Sequence, residues 1–274
     1  MDEDTRFLRE SVVDIDAAVV GMSSTRWTSI PLAEATSDRA AQIMREKRFD
    51  TLPIESPAGV REYFQTQIWN NYSSIDRLPV THRDVISFKT PLRNVIQGFA
   101  LESRNFYFLG SERRIVGLIS IANLNCRQVK VYLFNLLSEL EVQLANLVSH
   151  HCSEPELLEM TFGIDEKSKY GDVKERYTSD KAKGVDVRFV EYLYLSDILR
   201  VIRKKDLFQA LGYQSGGKFD DAFNPLVTLR HVVAHPTRSL IRDPKSCKKL
   251  WEQIDQVEGV LLHLRGSLTR RTDL

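Results

Sequence analysis

The chain has 274 residues, 42% of them hydrophobic and 27% charged, with a formal net charge of +1. That apolar content with so little net charge excludes disorder of the whole chain, and it excludes a protein that holds nucleic acid by bulk positive charge. Residues 1–124 carry 15 basic and 16 acidic side chains and residues 125–274 carry 23 and 21, so any polyanion site has to be a local patch.

The length sits at the upper edge of what one core organises, and two domains are expected, 1–124 and 125–274. The start, Met1-Asp2-Glu3-Asp4, is acidic where a secretion signal needs a basic residue and an apolar run. Apolar stretches such as Val131–Leu137 fall far short of the roughly 18 residues a bilayer requires, so no membrane partner is expected. Cys126, Cys152 and Cys247 form no C-x-x-C pair. A disulfide framework and a cysteine-rich zinc site are therefore not expected, and a reducing cytoplasm is the expected compartment.

Two segments of the front half share one pattern. Ser37-Asp38 precedes a helical stretch from Arg39 to Lys47 and then Thr51–Ile54; Thr90-Pro91 precedes Leu92–Leu101 and then Phe106–Leu109. Each opens on a helix-capping residue, and Pro91 suits a first helical position. Leu92, Val95, Ile96 and Phe99 share one helical face. The offset is 53 residues from Ser37 to Thr90 and 54 from Pro53 to Tyr107. The second copy continues through the turn Gly110-Ser111-Glu112-Arg113 into Ile115–Ile121, a hairpin signature.

With the closing stretch Gly117-Leu118-Ile119-Ser120-Ile121-Ala122-Asn123, this unit resembles a CBS domain, and the tandem resembles a CBS pair over roughly residues 25–124. The resemblance implies an α+β front half with an adenosine-nucleotide cleft between the repeats, Ser120 and Asn123 standing where the family places a hydroxyl and a carboxylate. A hydroxyl can bond phosphate and a carboxylate can accept two ribose hydroxyls; Asn123 still accepts but lacks the charge. The matching stretch of the first repeat, Val60–Gln67, has no clear glycine or aspartate, so one of the two sites reads as degenerate. The plain alternative is a dimerisation scaffold without ligand.

From Asn125 the period becomes helical. Val129, Leu133, Leu136, Leu137, Leu140, Leu144 and Leu147 form a long apolar stripe ending near His150-His151. Ser153-Glu154-Pro155 opens a short helix through Phe162, and the polar residues 163–185 read as a long loop. A helix is expected from Val187 to about Lys205, extended after a bend through Asp206–Gly212, and Gly216-Gly217 reads as a break. Asn224-Pro225 reads as the start of a helix ending at His235-Pro236, and Asp243-Pro244 as the start of the last helix. The back half is expected to be an all-α antiparallel bundle of four or five helices.

The Pro225 helix carries Arg230-His231-Val232-Val233-Ala234-His235. Arginine, four residues, then histidine, late in a helical domain, is similar to the motif of the HEPN family over roughly residues 125–270. That resemblance implies an all-helical bundle, generally a homodimer, and in many members a metal-independent ribonuclease needing no catalytic cofactor. The chemistry has its own logic. Cleaving RNA without metal requires a base for the 2′-hydroxyl and positive charge for the phosphorane; histidine titrates near neutrality and the arginine fork matches phosphate oxygens. On a helix, positions 230 and 235 lie about 140° apart, whereas 231 and 235 are one turn apart. One copy thus offers Arg230, His231 and His235 as an incomplete set, and a second copy across a two-fold axis would complete it.

Plainer readings of the same residues stand beside that one. Arg230 could pair with Asp220 or Asp221, His235 could cap its helix, and His231 with His235 could hold metal, although a third ligand is not evident. Arg238, Arg242, Lys245, Lys248 and Lys249 follow His235 and could track an RNA backbone or be a solvated face. Arg200, Arg203, Lys204 and Lys205 form another basic turn, and Arg265, Arg270 and Arg271 a basic tail. Glu139 or Glu141 could orient a histidine or arginine, but spacing selects neither. The expectation is an endoribonuclease leaving a 2′,3′-cyclic phosphate, regulated by an adenosine nucleotide, as in a stress or phage-defence effector; the alternative is a catalytically silent, nucleotide-sensing dimer acting through protein partners.

Overall fold

The computed structural model describes residues 15–68, 71–102, 104–111, 114–162 and 171–272. The acidic start Met1–Asp4, the turn residues Glu112 and Arg113, and residues 163–170 of the polar stretch lie outside the described residues. Two compact units divide the chain. One holds Asp14–Val129 with Ser239–Trp251, the other Lys130–Arg238 with Glu252–Leu274.

The first unit contains two four-stranded sheets and repeats one device. In the first copy β2 (Ile30–Pro31), helix α2 (Ser37–Lys47), β3 (Thr51–Ser56) and β4 (Gly59–Ile68) follow in order, after α1 (Ala17–Val20) and β1 (Met22–Ser23). In the second, β6 (Val85–Ser87), α3 (Leu92–Leu101), β7 (Phe106–Ser111) and β8 (Arg114–Ser120) do the same. In each copy the first two strands are parallel and the last two antiparallel. The fourth strands have different origins. β5 (Asn71–Pro79) follows β4 as a hairpin, giving the order β2-β3-β4-β5, whereas β1, from the start of the chain, pairs with β8 to give β1-β8-β7-β6.

Sequence explains the layers. Thr36 caps α2 by accepting the Arg39 amide, and Ala40 and Met44 then fall on one face against Ile30, Leu52, Ile54 and Phe64. α3 buries Leu92, Val95, Ile96 and Phe99 in the same way. β7 reads Phe-Tyr-Phe-Leu without alternation because all four side chains are buried, as expected for a strand covered on both faces. Tyr63 of β4 meets Phe106 and Phe108 edge-on at 5.2 and 5.5 Å, so the two sheets share an aromatic seam. Two glycines are required by close approach: a Cβ on Gly117 would stand 2.5 Å from the Met22 carbonyl oxygen, and one on Gly98 the same distance from the Tyr107 hydroxyl.

The second unit is helical. α4 (Arg127–His151), α5 (Glu154–Phe162), α6 (Gly171–Ala182), α7 (Leu195–Lys204), α8 (Gly216–Ala234) and α9 (Pro244–Thr272) lie wholly or partly in it, six described helices rather than four or five. The α4 stripe is buried at Leu133, Leu136, Leu137, Leu140, Leu144 and Val148, and α9 buries Ile254, Val257, Leu261 and Leu264. Each fully buried leucine or isoleucine contributes about 1.5–3 kcal/mol relative to exposure. Among the described residues no helix is long and apolar enough to cross a membrane.

Three sequence expectations fail here. The expected loop 163–185 contains α6, which buries Val173 and Tyr177 one turn apart and is tied down by Lys181 donating to Glu154 at 2.6 Å and the Tyr192 hydroxyl donating to Asp180 at 2.8 Å. The expected helix from Val187 begins only at Leu195, because Asp197 turns back to accept the Tyr194 amide and close a cap there. Gly216-Gly217 starts a helix instead of breaking the chain: Ser215 caps it by accepting the Lys218 amide, and Pro225 lies inside it. A proline in a helix removes the amide that would meet the carbonyl four residues back; next to that position Gln256 donates to Ala222 O at 2.7 Å and Gln253 to Pro225 O at 2.8 Å.

Candidate functional site

The end of α8 carries the arginine and both histidines of the motif, and it brings the two histidines together. Leu229 and Val233 bury the opposite face of the helix, which leaves His231 and His235 exposed. Their rings stand 4.5 Å apart at 71°, as one helical turn dictates. His235 is already out of the helix, capping it in an extended conformation. Burial, then the positive charge of Arg238 and then of His235, hold the His231 imidazole below its ordinary value of 6.5. An imidazole so placed is neutral at neutral pH and able to take a proton.

Arg230 points elsewhere. Its Nε donates to Glu141 at 3.0 Å, and its guanidinium lies 5.1 Å from the centre of the Phe134 ring on α4. The partner is neither Asp220, which pairs with Arg203 at 3.3 Å, nor Asp221. Glu141 thus becomes part of the site, and Glu139 does not, since it takes Arg265 at 3.1 Å. Around this pair α4 exposes Val131, Phe134 and Val142, an apolar stripe on its solvent side.

Behind the motif lies a residue the sequence reading did not single out. Lys130 is only 7% exposed, and its ammonium donates to the carbonyls of His235, Pro236 and Arg238, the first at 3.4 Å and the last at 2.6 Å. A buried lysine near the start of a helix is visible in a sequence only as one polar residue in an apolar stripe.

The five basic residues expected to follow RNA do not share one unit. Arg238 belongs to the helical unit, whereas Arg242, Lys245, Lys248 and Lys249 belong to the sheet unit; all are exposed. In the other basic turn Arg203 and Lys205 are spent on Asp220 and Glu156 and Lys204 on the Met160 carbonyl, which fits a solvated, paired face. His150 and His151 stack edge-on at 5.1 Å; among the described residues no three histidine, cysteine or acidic groups gather as a metal set.

In the sheet unit Ser120 and Asn123 bind each other. The Ser120 amide and hydroxyl both donate to Asn123 Oδ1, at 2.8 and 2.9 Å, closing the turn Ile121–Asn125. A nucleotide at these atoms would have to displace that cap. Thr81 and Asp84 form the same box, the Thr81 amide and hydroxyl donating to Asp84 Oδ2 at 2.7 and 2.6 Å. The first repeat therefore carries a hydroxyl and a carboxylate after all. They follow β5, not β4, which is why the 54-residue offset to Val60–Gln67 missed them. Asp84 also accepts from Arg104 at 2.6 Å and lines a cavity of about 250 Å³ with Tyr63, Gln65, Asn105 and Phe106. Burial works to raise its carboxyl, but bonds from Thr81 and Arg104 win and hold it below 3.8. A larger groove, about 850 Å³, lies between the turn Ser56–Gly59 and the start of β8, with the exposed Arg61 and Arg114 on its walls.

Compared with protein-family models, with curated proteins and with solved structures, the chain gives no match.

Proposed function

We propose that the protein is a metal-independent endoribonuclease of the HEPN type, working as a homodimer and regulated by an adenosine nucleotide bound to a CBS-like pair. The observation that carries the reading is the exposed His231–His235 pair, 4.5 Å apart, on the helix end that also bears Arg230, with the His231 imidazole held low. His235 acts as general base or acid, His231 assists it, and Arg230 offers the guanidinium edge that Glu141 leaves free to a phosphate oxygen. A second copy supplies the complementary acid, and the exposed Val131, Phe134 and Val142 beside Arg230 are the face through which the copies meet. In the sheet unit the regulatory nucleotide contacts Ser120 and Asn123 by the family resemblance; the groove walled by Arg61 and Arg114 has the volume and the exposed cations that a phosphorylated ligand needs.

The test is cleavage of mixed RNA in excess EDTA by the full chain and by His235→Ala. The wild type yields fragments ending in 2′,3′-cyclic phosphate, and the variant loses about 10²–10⁴-fold of the rate; uncut RNA, with or without adenine nucleotides, rejects the enzyme. One observation favours a second reading. The Arg230–Glu141 ion pair occupies the guanidinium, as in a catalytically silent dimer that reports nucleotide status to a protein partner. For either reading, an adenine nucleotide at 100 times its dissociation constant raises stability by about 2.7 kcal/mol, readable as a thermal shift.

A further inference from the structure

We propose that Lys130 is a positioning residue for anion binding: its buried ammonium converts the carbonyl-rich end of α8 into a place where His231, His235 and Arg238 can receive a phosphoryl oxygen. The end of a helix is ordinarily the wrong place for an anion. Its last carbonyls have no partners within the helix, and together they carry about half a negative charge. The turn after Ala234 adds the carbonyls of His235, Pro236 and Arg238, all turned to one point. Lys130 fills that point. Lys130 is only 7% exposed, and among the described residues its ammonium makes no ion pair; it donates to three neutral carbonyls.

Burying an ammonium without a carboxylate is costly. A methionine of similar length would cover the same apolar neighbours without that cost, so packing alone does not account for a lysine here. Charge does. The ammonium cancels the negative end of α8 from beneath, while the surface above it presents His231, His235 and Arg238, all exposed. Fixed positive charge under a set of exposed donors attracts phosphate, and it does so more strongly for being out of water. The inference deepens the ribonuclease reading, on which it rests for the identity of the phosphate as that of RNA.

The test uses the full chain and inorganic phosphate as probe. Imidazole Cε1–H resonances of His231 and His235 are followed by NMR as phosphate is added, for the wild type, Lys130→Met, Lys130→Gln and Lys130→Arg, with circular dichroism melts alongside. The wild-type resonances move and saturate. Lys130→Met weakens phosphate binding on the order of tenfold. Lys130→Gln, which keeps donors for the carbonyls but no charge, weakens it similarly, and Lys130→Arg, which keeps the charge, stays within about threefold. Wild-type affinity in folded Lys130→Met or Lys130→Gln overturns the proposal, as does a wild type whose resonances ignore phosphate, or loss of folding in both neutral variants, which would make Lys130 purely structural. Wild-type protein that binds phosphate through Lys130 yet leaves RNA uncut removes the nuclease and leaves the role of Lys130 standing.

Discussion

His231 and Asp84 are two titratable groups pushed the same way for different reasons. Burial and the cations Arg238 and His235 keep His231 below 6.5, so its neutral form persists to lower pH than a free imidazole's. On the proposed ribonuclease reading, the acidic limb of the cleavage rate falls below pH 6.5, and Arg238→Ala, which removes one repelling charge, moves that limb upward; a limb unmoved in the variant, measured beside an NMR titration of His231, contradicts the assignment. Asp84 is depressed by its bonds to Thr81 and Arg104. A carboxyl that binds its proton less readily when folded adds stability in full above the unfolded value near 3.8, and loses it as pH falls through the lower folded value. Asp84→Asn should thus cost about 1–3 kcal/mol at neutral pH, the range for lost hydrogen bonds to a charged group, since Arg104 keeps Glu102 at 3.1 Å, and flatten the acid end of the stability curve in urea titrations. The neighbours of His231 are legible in the sequence, whereas the partner of Asp84, and the choice of Glu141 over Glu139 for Arg230, are not. Arg104 lies 20 residues from Asp84, and Glu141 lies 89 from Arg230; spacing on a helix or strand says nothing at such separations.

Elements were legible where local periodicity and tertiary packing agreed. The α4 stripe and the apolar α3 face could be read directly, because burial on one side leaves a 3.6-residue mark. α6 left almost none, since it buries little beyond Val173 and Tyr177. α8 carries two glycines and a proline that locally argue against a helix, and it forms with Ser215 capping its start and with Gln253 and Gln256, on a different helix, bonding the carbonyls of Pro225 and Ala222. Glycines now separate by environment. Gly117→Ala would drive a Cβ against the Met22 carbonyl and should cost about 1–3 kcal/mol by prising β1 from β8. Gly217→Ala, with nothing within 4 Å, should instead add about 0.5–1 kcal/mol to α8. Chemical denaturation of both variants checks the contrast; equal effects would show that backbone freedom, not the approach of β1, governs Gly117.

At the scale of the whole molecule, two sheets in one unit and a helical region in the other follow the composition and the change of period at Asn125. The return of Ser239–Trp251 to the sheet unit does not follow from them; it depends on Cys247 and Leu250 being buried and on Asn125 bonding the backbone of Leu240 and Ile241. Assembly is the other property of this scale. Val131 and Val142 lie three turns apart on one side of α4, 46% and 52% exposed. On the proposed dimeric ribonuclease reading, Val142→Asp should convert the dimer to monomer in sedimentation and abolish RNA cleavage with it; a dimer that survives the change places the self-association elsewhere. The strand β1 has a consequence of another kind. Met22 is bonded to a partner at Leu118, and Ala17 and Ala18 to the backbone of Thr90 and Phe88. On the ribosome the segment around Met22 therefore waits while roughly a hundred residues are made before its neighbour emerges. The second sheet cannot close until nearly all of its unit has been translated, so a nascent chain stalled before Gly117 leaves an open hydrophobic edge for a chaperone to hold.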